Sequence, residues 1–371
     1  MDACYQIADT SSIISPGLVI FRDMVEQNLD RMIAIAGSPD RLRPHCKTHK
    51  TAEIIKLQLE RGITRHKCAT FAEAEMCATT GAKDIVLAYS LVGPNVQRAV
   101  KFVETFPDVT FAVTADHPLH VSKLAEAMQQ SGRQIGVLLD IDTGQHRTGI
   151  PVGDAARQLY QQIADSDGLI AAGFHVYDGH QHQTDRDERR DAVNVEWNKV
   201  AAFRQELEAA GLSVPKLVCG GTASFPIYAE KDDASIEMSP GTCVYNDCGY
   251  GQKFPDMVFP PAALLLTRVI SRPTADRITL DLGYKAVASD PPVEKRAEFP
   301  ELPDARIVLQ NEEHLVIESS RAGEFQPGDV LLAVPRHICP TSALHKSAWV
   351  VSNGEIVDTW QIASRDRWIT I

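Results

Sequence analysis

The densest group of reactive side chains in this 371-residue sequence is Arg43-Pro-His-Cys-Lys-Thr-His-Lys50, at the end of one apolar run and the start of a helical pattern. A lysine held beside other cations and partly removed from water has a lowered pKa, because its ammonium form is the one penalised. The neutral amine can then attack an aldehyde. Arg43, His45 and Lys50 supply such cations to Lys47, although the same residues would also serve as a solvated, basic helix start. Gly220-Gly221-Thr222 and Gly241-Thr242 each follow an apolar run. Glycines let a backbone approach a phosphate closely, and N–H groups with a threonine hydroxyl can bind it, whereas read alone each pair is a turn. Arg147 lies in a glycine-flanked turn, as a ligand for an anion or as a surface arginine. In Tyr177-Asp-Gly-His180-Gln-His182 either imidazole can take a proton near neutral pH, and the spacing does not choose between them. An imidazole and a thiolate suit zinc, so His337-Ile-Cys339 is a candidate metal pair, with His345 a possible further ligand. An alternating strand would also put His337 and Cys339 on one face for no chemical reason.

These groups need a scaffold, and hydrophobic periodicity supplies one. From Gly17 to about Thr242 short apolar runs alternate with amphipathic stretches, the pattern of parallel strands joined by crossover helices. Candidate strands are Leu18–Phe21, Arg43–Lys47, His66–Thr70, Ile85–Tyr89, Val109–Val113, Ile135–Ile141, Ile170–Tyr177, Lys216–Cys219 and Ser235–Met238, one more than a barrel of eight needs. Helices are expected over Ala155–Ala164 and Arg189–Ala210, the second closed by Gly211. Such a series closes into a barrel or spreads into a doubly wound open sheet, and periodicity does not separate the two. After Pro260 the runs become short and β-like, divided by Pro, Gly, Asn and Asp, without helical stretches between them. A separate all-β domain follows, with Asp247–Pro261 as the junction.

Composition bounds the function. The net charge of -12 exerts no broad pull on phosphate backbones, so nucleic acid is not an expected partner, while an anionic cofactor can still be held locally. Eight cysteines without a Cys-x-x-Cys pair or a dense framework indicate a reducing compartment. No apolar stretch approaches the ~20 residues of a membrane span, and the start of the chain lacks a secretion signal. A cytoplasmic protein is expected.

The segment from Arg43 to Lys50 resembles the cofactor-lysine segment of the D-threonine aldolase and D-serine dehydratase branch of the alanine-racemase-like enzymes, pyridoxal-phosphate proteins of fold type III. The similarity continues through Cys68-Ala-Thr-Phe-Ala-Glu-Ala-Glu75, Asp142-Thr-Gly-Gln-His-Arg-Thr-Gly149, His175-Val-Tyr-Asp-Gly-His180, Gly220-Gly-Thr222, Ser239-Pro-Gly-Thr242 and His337-Ile-Cys-Pro-Thr341. The order and spacing of these segments are more specific than any one of them. The resemblance implies an α/β protein with an N-terminal (β/α)8 TIM-type barrel and a C-terminal all-β domain. It implies residues 1–16 packing with the β domain, a cofactor-binding barrel over 17–255, and a metal-bearing β domain over 256–371.

The resemblance also implies roles. Lys47 would hold pyridoxal 5'-phosphate as a Schiff base, Arg147 would contact its ring oxygen, and Tyr177 would hydrogen-bond near the Schiff base. Gly220, Gly221, Thr222, Gly241 and Thr242 would form its phosphate cup. His180 or His182 would be the base. His337 and Cys339 would hold a divalent metal, zinc first, with manganese or magnesium as alternatives. Ser239 stands where a racemase carries an arginine facing the pyridine nitrogen. The implied activity is cleavage of a D-3-hydroxy amino acid, foremost by a D-threonine aldolase reaction to glycine and an aldehyde. The segment Leu280-Asp-Leu-Gly-Tyr-Lys-Ala-Val-Ala-Ser-Asp290 is similar to the aldolase group. D-serine dehydratase and D-3-hydroxyaspartate lyase are the alternatives, with an amino-acid racemase or a non-catalytic carrier of the cofactor more remote. A homodimer is expected, since related barrels complete their sites with a neighbour's β domain.

Overall fold

The computed structural model describes residues 5–368 and 370–371. The first four residues of the 1–16 segment, Cys4 among them, lie outside the described residues. The chain divides into two compact units. The barrel unit comprises Ile33–Lys47, Ile54–Gly241 and Arg367–Ile371, and the β unit comprises Met1–Met32, Thr48–Glu53 and Thr242–Asp366. In chain order the strands are β1 (Gly17–Phe21), β2 (Arg65–Cys68), β3 (Asp84–Ser90), β4 (Thr110–Ala115), β5 (Ile135–Ile141), β6 (Leu169–Val176), β7 (Leu217–Cys219), β8 (Ile236–Met238), β9 (Ala263–Ser271), β10 (Arg277–Leu280), β11 (Ala297–Glu298), β12 (Arg306–Gln310), β13 (Leu315–Glu318), β14 (Val330–Pro335), β15 (Ser347–Ser352) and β16 (Glu355–Gln361). The helices are α1 (Arg22–Ala36), α2 (Ala52–Glu60), α3 (Phe71–Thr80), α4 (Pro94–Thr105), α5 (Pro118–Ser131), α6 (Asp154–Asp165), α7 (Arg186–Ala209), α8 (Phe225–Ala229), α9 (Cys248–Lys253) and α10 (Ile338–Leu344).

In the barrel unit β2 to β8 form a parallel sheet in sequence order. Its two edges are joined by residues 42–46: Leu42 bridges Met238 of β8, and His45 bridges Lys67 of β2, both in parallel. The N–H groups of Arg43 and His45 donate to Met238 and Pro240 at 2.7 and 2.8 Å, and that of Cys46 donates to Lys67 at 2.9 Å. Residues 42–46 therefore fill the eighth barrel position, with Lys47 just beyond it. The expected strand Arg43–Lys47 forms only these bridges, because Pro44 has no N–H to give to a ladder. The expected strand Leu18–Phe21 is the surplus one. As β1 it lies in the other sheet, antiparallel to β9 and parallel to β15.

Helices follow the barrel strands as the periodicity requires. On α6 the buried residues Ala156, Leu159, Tyr160 and Ile163 repeat at three-to-four spacing. The helix expected from Arg189 begins at Arg186, because the Asp185 carboxylate caps it by accepting from the N–H groups of Asp187 and Glu188. Within the barrel, Val86, Ala112, Leu138, Ala172 and Val218, one from each of β3 to β7, make an apolar cluster. Small residues are needed there: a Cβ on Gly136 would come within 2.8 Å of Ala112 Cβ. Closer to the C-terminal strand ends the interior turns polar, with buried Lys67, Asp140 and His175.

The β unit is built on the order β12-β13-β10-β9-β1-β15-β16, with β14 also paired to β9 and β11 paired to β14. Val19, Phe21, Leu264, Leu266, Leu332, Val334 and Val351 pack into its core. Burying each such side chain contributes roughly 1.5–3 kcal/mol. The β texture after Pro260 is interrupted by the short helix α10, with His337 at its N-cap position, so His337 and Cys339 are not strand neighbours. Pro340 in the first turn of α10 fits a helix start and would interrupt a strand. Among the described residues no helix is long and apolar enough to cross a membrane.

Candidate active site

In the barrel unit the candidate residues stand at the C-terminal ends of the strands, the face on which (β/α)8 enzymes carry their chemistry. Lys47 follows the closing segment, Arg147 is in the loop after β5, Tyr177 follows β6, Gly220 to Thr222 follow β7, and Gly241 lies three residues beyond β8. Two of them converge with one further residue on the Tyr177 ring. Lys47 Nζ and Lys67 Nζ lie 5.6 Å from its centroid, and Arg147 Cζ lies 5.0 Å from it. Each cation is within the ~6 Å over which a ring face attracts positive charge. Together they form a positive lining suited to an anion.

Arg147 is aimed by its own loop. Asp142 accepts from the N–H groups of Gly144 and His146 at 2.9 and 3.0 Å, and His146 Nδ1 meets its other oxygen at 2.7 Å. Gly149, at φ +95°, closes the turn where a Cβ would come within 2.7 Å of Asp142 N. Its N–H donates to Asp116 at 2.8 Å.

Below Tyr177 lies a buried chain that the motifs did not single out as a site. The β5–β6 register sets Asp140 opposite His175, and Asp140 Oδ1 is 2.6 Å from His175 Nδ1. His175 Nε2 is 3.4 Å from Lys67 Nζ, and the imidazole stacks on Tyr177 with an interplanar angle of 12°. Burial, reinforced by the nearby Lys47 charge, pushes the Lys67 ammonium down to about 7. Burial alone would raise the Asp140 carboxyl, but the charge and hydrogen bond of His175 hold it below its ordinary value. Burial also lowers the His175 imidazole, against the pull of Asp140.

Arg43 does not act on Lys47 as a free cation. It is fully buried and bound to Glu237 at 2.5 Å and to Asp84 at 2.9 Å, so two carboxylates neutralise it. Lys67, not Arg43, shares the Tyr177 ring with Lys47. Ser239 Oγ donates to the Arg43 carbonyl at 2.9 Å, which fixes the β8 end to the closing segment.

At the glycine turns the space of a side chain is already filled and the N–H groups are engaged within the protein. The N–H groups of Gly220, Gly221 and Gly241 donate to Val176 O, Ser224 Oγ and Thr222 Oγ1 at 2.8, 3.1 and 3.1 Å. A Cβ on Gly220 would meet Ser224 Oγ at 2.7 Å, and one on Gly221 would meet the Tyr177 ring at 3.1 Å. Ser224 Oγ in turn donates to Asp178 at 2.6 Å. The two histidines differ: His180 is partly covered and its Nδ1 is buried without a hydrogen-bond partner, whereas His182 is exposed.

In the β unit His337 and Cys339 interact electrostatically across the first turn of α10. His337 Nδ1 is 2.6 Å from Asp290 Oδ2, and Cys339 Sγ is 3.1 Å from Thr48 Oγ1 and 3.7 Å from Thr242 Oγ1. Asp247 holds this corner by accepting from the N–H groups of Ile338 at 3.0 Å and Tyr250 at 2.8 Å. Burial alone would lower the His337 imidazole, but Cys339 and Asp290 bring it up to about 9. The Cys339 thiol moves the other way: burial would raise it, and the interaction with His337 lowers it. A thiolate and an imidazole whose Nδ1 is oriented by a carboxylate are a donor set that fits a divalent ion. His345 is not part of this set, since its Nε2 is bonded to the Ala286 carbonyl at 2.8 Å.

A model of the alanine racemase N-terminal domain matches residues 20–248, more than half of the chain. The chain belongs to that family. A second model, of a putative serine dehydratase domain, matches residues 262–351. Within the alanine-racemase-like family the chain is 33% identical to a D-threonine aldolase of Arthrobacter sp over 361 residues, covering 95% of this chain and 92% of the relative. It is 27% identical to a 3-hydroxy-D-aspartate aldolase of Paracoccus denitrificans, covering 97% and 94%. The crystal structure of D-threonine aldolase from Filomicrobium marinum superposes with a TM-score of 0.87 at 27% identity, over 95% of this chain and 96% of that one.

For a family member, the residues that motif reading passed over share one signature. Lys67, Asp140 and His175 are ionisable residues inside apolar strands, and a charge in such a run is costly unless it is paired or used. Asp290 and Asp247 carried no comparable signal, because they act from loops far in sequence from His337.

Proposed function

We propose that the protein is a pyridoxal-phosphate- and divalent-metal-dependent lyase that cleaves D-3-hydroxy amino acids, D-threonine foremost, to glycine and an aldehyde. The observation that carries this reading is the convergence of Lys47, Lys67 and Arg147 on Tyr177, in a chain 33% identical to a D-threonine aldolase. The cations around the Tyr177 ring fit an anionic cofactor with a flat ring. Lys47, Arg147, Tyr177, Gly220, Gly221, Thr222, Gly241 and Thr242 would hold it; His337 and Cys339 would hold the metal, with zinc the best match to a thiolate and an imidazole.

Pyridoxal phosphate supplies an aldehyde for imine formation and a ring that accepts the electron pair of a broken Cα bond. A divalent ion supplies Lewis acidity toward a substrate hydroxyl. The chain's own residues supply the rest. Lys47 presents its amine to the aldehyde and is the group that returns a proton to Cα. Arg147 brings fixed positive charge to the Tyr177 side of the pocket, held there by the Asp142 turn. His180, with its buried and unpartnered Nδ1, is the better placed of the two histidines to take the hydroxyl proton. The Asp140–His175 pair and Lys67 brace Tyr177 from inside the barrel. Thr48, the chain neighbour of Lys47, meets Cys339 through its hydroxyl, so the segment after Lys47 is fixed within the β unit.

A second reading, dehydration of a D-3-hydroxy amino acid, is favoured by the serine dehydratase model over residues 262–351. Incubation with D-threonine and with D-serine separates the two. Glycine and acetaldehyde support the aldolase; ammonia and pyruvate from D-serine assign the dehydratase. Interconversion of D- and L-alanine without either product set sinks both. We also propose a cytoplasmic homodimer, consistent with thiols kept reduced; a fully active monodisperse monomer in solution would overturn the dimer.

A further inference from the structure

Away from the His337–Cys339 pair, three thiols meet inside the barrel unit. Cys46 belongs to the closing segment, Cys68 ends β2, and Cys77 lies on α3. Their sulfurs form a nearly equilateral triangle: Cys46 to Cys68 is 3.6 Å, Cys68 to Cys77 is 3.8 Å, and Cys77 to Cys46 is 3.9 Å. Glu73 Oε2 lies 3.7 Å from Cys46 Sγ, and Glu73 is fully buried with the thiols. Ligands ~2.3 Å from a tetrahedral ion stand ~3.8 Å apart, which is the edge of this triangle. Thiols packed as small apolar groups would reach similar distances pair by pair. A closed triangle of three, drawn from three separate elements and flanked by a carboxylate, is what a metal site requires in addition.

The carboxylate is already oriented. Thr70 caps α3 by accepting from the Glu73 N–H at 3.2 Å, and Glu73 Oε2 accepts from the Ala69 N–H at 2.6 Å. These bonds hold the carboxylate beside Cys46. Among the described residues, the groups of three or more close donors are Cys46, Cys68 and Cys77, and the overlapping set His45, Cys46 and Glu73, which place His45 on the rim of the same pocket. Three sulfur donors select soft closed-shell ions over magnesium, calcium or manganese.

We propose that Cys46, Cys68 and Cys77 form a three-thiolate binding site for a soft closed-shell cation, zinc(II) or copper(I), distinct from the site at His337 and Cys339. An ion there would tie the barrel-closing segment to β2 and α3 at the residue preceding Lys47. Its role is to hold the segment that carries the amine.

The test uses the holoenzyme in a Cys339→Ala background, which removes the other thiolate donor, under anaerobic and reducing conditions. Titration with cobalt(II) is expected to give the visible bands of thiolate-bound tetrahedral cobalt, to the red of the cofactor's absorbance. They should saturate at one ion per chain and be displaced by zinc(II). Competition with a copper(I)-specific chelator distinguishes preference for copper(I). Cys68→Ser and Cys77→Ser should each abolish the bands; circular dichroism and melting checks that they are folded. The metal content of protein with both native sites should be two ions per chain, against one in Cys68→Ser. Absence of thiolate bands in the folded Cys339→Ala protein, or bands unchanged by Cys68→Ser, overturns the site. Absence of aldolase activity in the unsubstituted holoenzyme, with the bands retained in the Cys339→Ala protein, would count against the proposed reaction and leave this site standing.

Discussion

The two units hold their candidate chemistry in different ways. In the barrel unit the groups come from strand ends and the loops beyond them, and they are cations spread around one aromatic ring, with Lys67, Asp140 and His175 locked in the interior by β-ladder register. In the β unit they come from the first turn of a seven-residue helix and from loops, and they are an imidazole held by a carboxylate, a thiol held by threonine hydroxyls, and a second carboxylate that anchors the helix start. A lining of cations is organised for an anion that stays in place. A corner of soft and acidic donors is organised for a cation that can be taken out. The barrel group should therefore fail all at once when its amine is lost, and the β-unit group by degrees.

Lys47→Ala is the sharpest way to break that contrast. It should lower turnover by roughly 10⁴-fold or more, as expected when a covalent nucleophile is removed. Cofactor should still bind without covalent attachment, and borohydride should no longer fix it to the protein. Cofactor trapped on another lysine in the unmodified enzyme would move the whole barrel assignment.

Next in size is metal loss. A chelator, His337→Ala or Cys339→Ala should reduce kcat about 10²- to 10³-fold with little change in KM, because the contact with the substrate hydroxyl matters most in the transition state. The absorbance of bound cofactor should persist. Unchanged activity after thorough metal removal would dissolve the distinction between the two groups.

The interior of the barrel predicts a pH effect. Lys67 has its folded-state pKa lowered from 10.5 to about 7, mainly by burial. Below pH 7 it is charged in both folded and unfolded chains, and the full cost of burial is present. Between pH 7 and 10.5 the unfolded chain holds a proton that the folded one lacks, so stability rises with pH. Lys67→Met should therefore stabilise the apoprotein at pH 6, and this advantage should shrink by about 2–3 kcal/mol by pH 9. Denaturant unfolding at several pH values measures it; an advantage independent of pH would mean that Lys67 is not buried as a charge.

The smallest effect belongs to Asp290→Asn. Removing the carboxylate that orients His337 should weaken metal binding by about tenfold, the lower end of what such outer partners contribute, and excess zinc should restore activity. Failure of zinc to rescue would give Asp290 a direct role.

Much of this was readable in the residues, and the exceptions have physical reasons. The strand Ile135–Ile141 has the bounds its apolar run indicated, because a strand buried between two helix-covered neighbours needs that run. Gly17–Phe21 has the same texture and a different place: as an interior strand of the β unit it is buried throughout, and nothing in five apolar residues says which sheet will bury them. Lys47, Arg147 and Tyr177 could be picked out as candidates because turn glycines and clustered charge mark them, and the fold brings the three side chains together. Lys67 was not, because its partners His175 and Asp140 become neighbours only through register. The short helix at His337 was hidden by a four-residue run, His-Ile-Cys-Pro, that alternation and a helix start describe equally well until Pro340 is weighed.

The placement of β1 also sets a timetable for synthesis. Its register partners are Ala263 to Leu266 on one side and Trp349 to Val351 on the other. The ribosome makes Gly-Leu-Val-Ile-Phe early and its mates near the end, so at about 5–20 residues per second an apolar strand stays unmated for roughly tens of seconds. Residues 42–46 wait as well, until Met238 and Pro240 emerge to meet them. A nascent chain stalled before β9 would expose an unpaired strand edge of the kind chaperones bind. Moving residues 1–21 to the C-terminus by circular permutation would bring β1 out immediately after its partners and shorten that exposure.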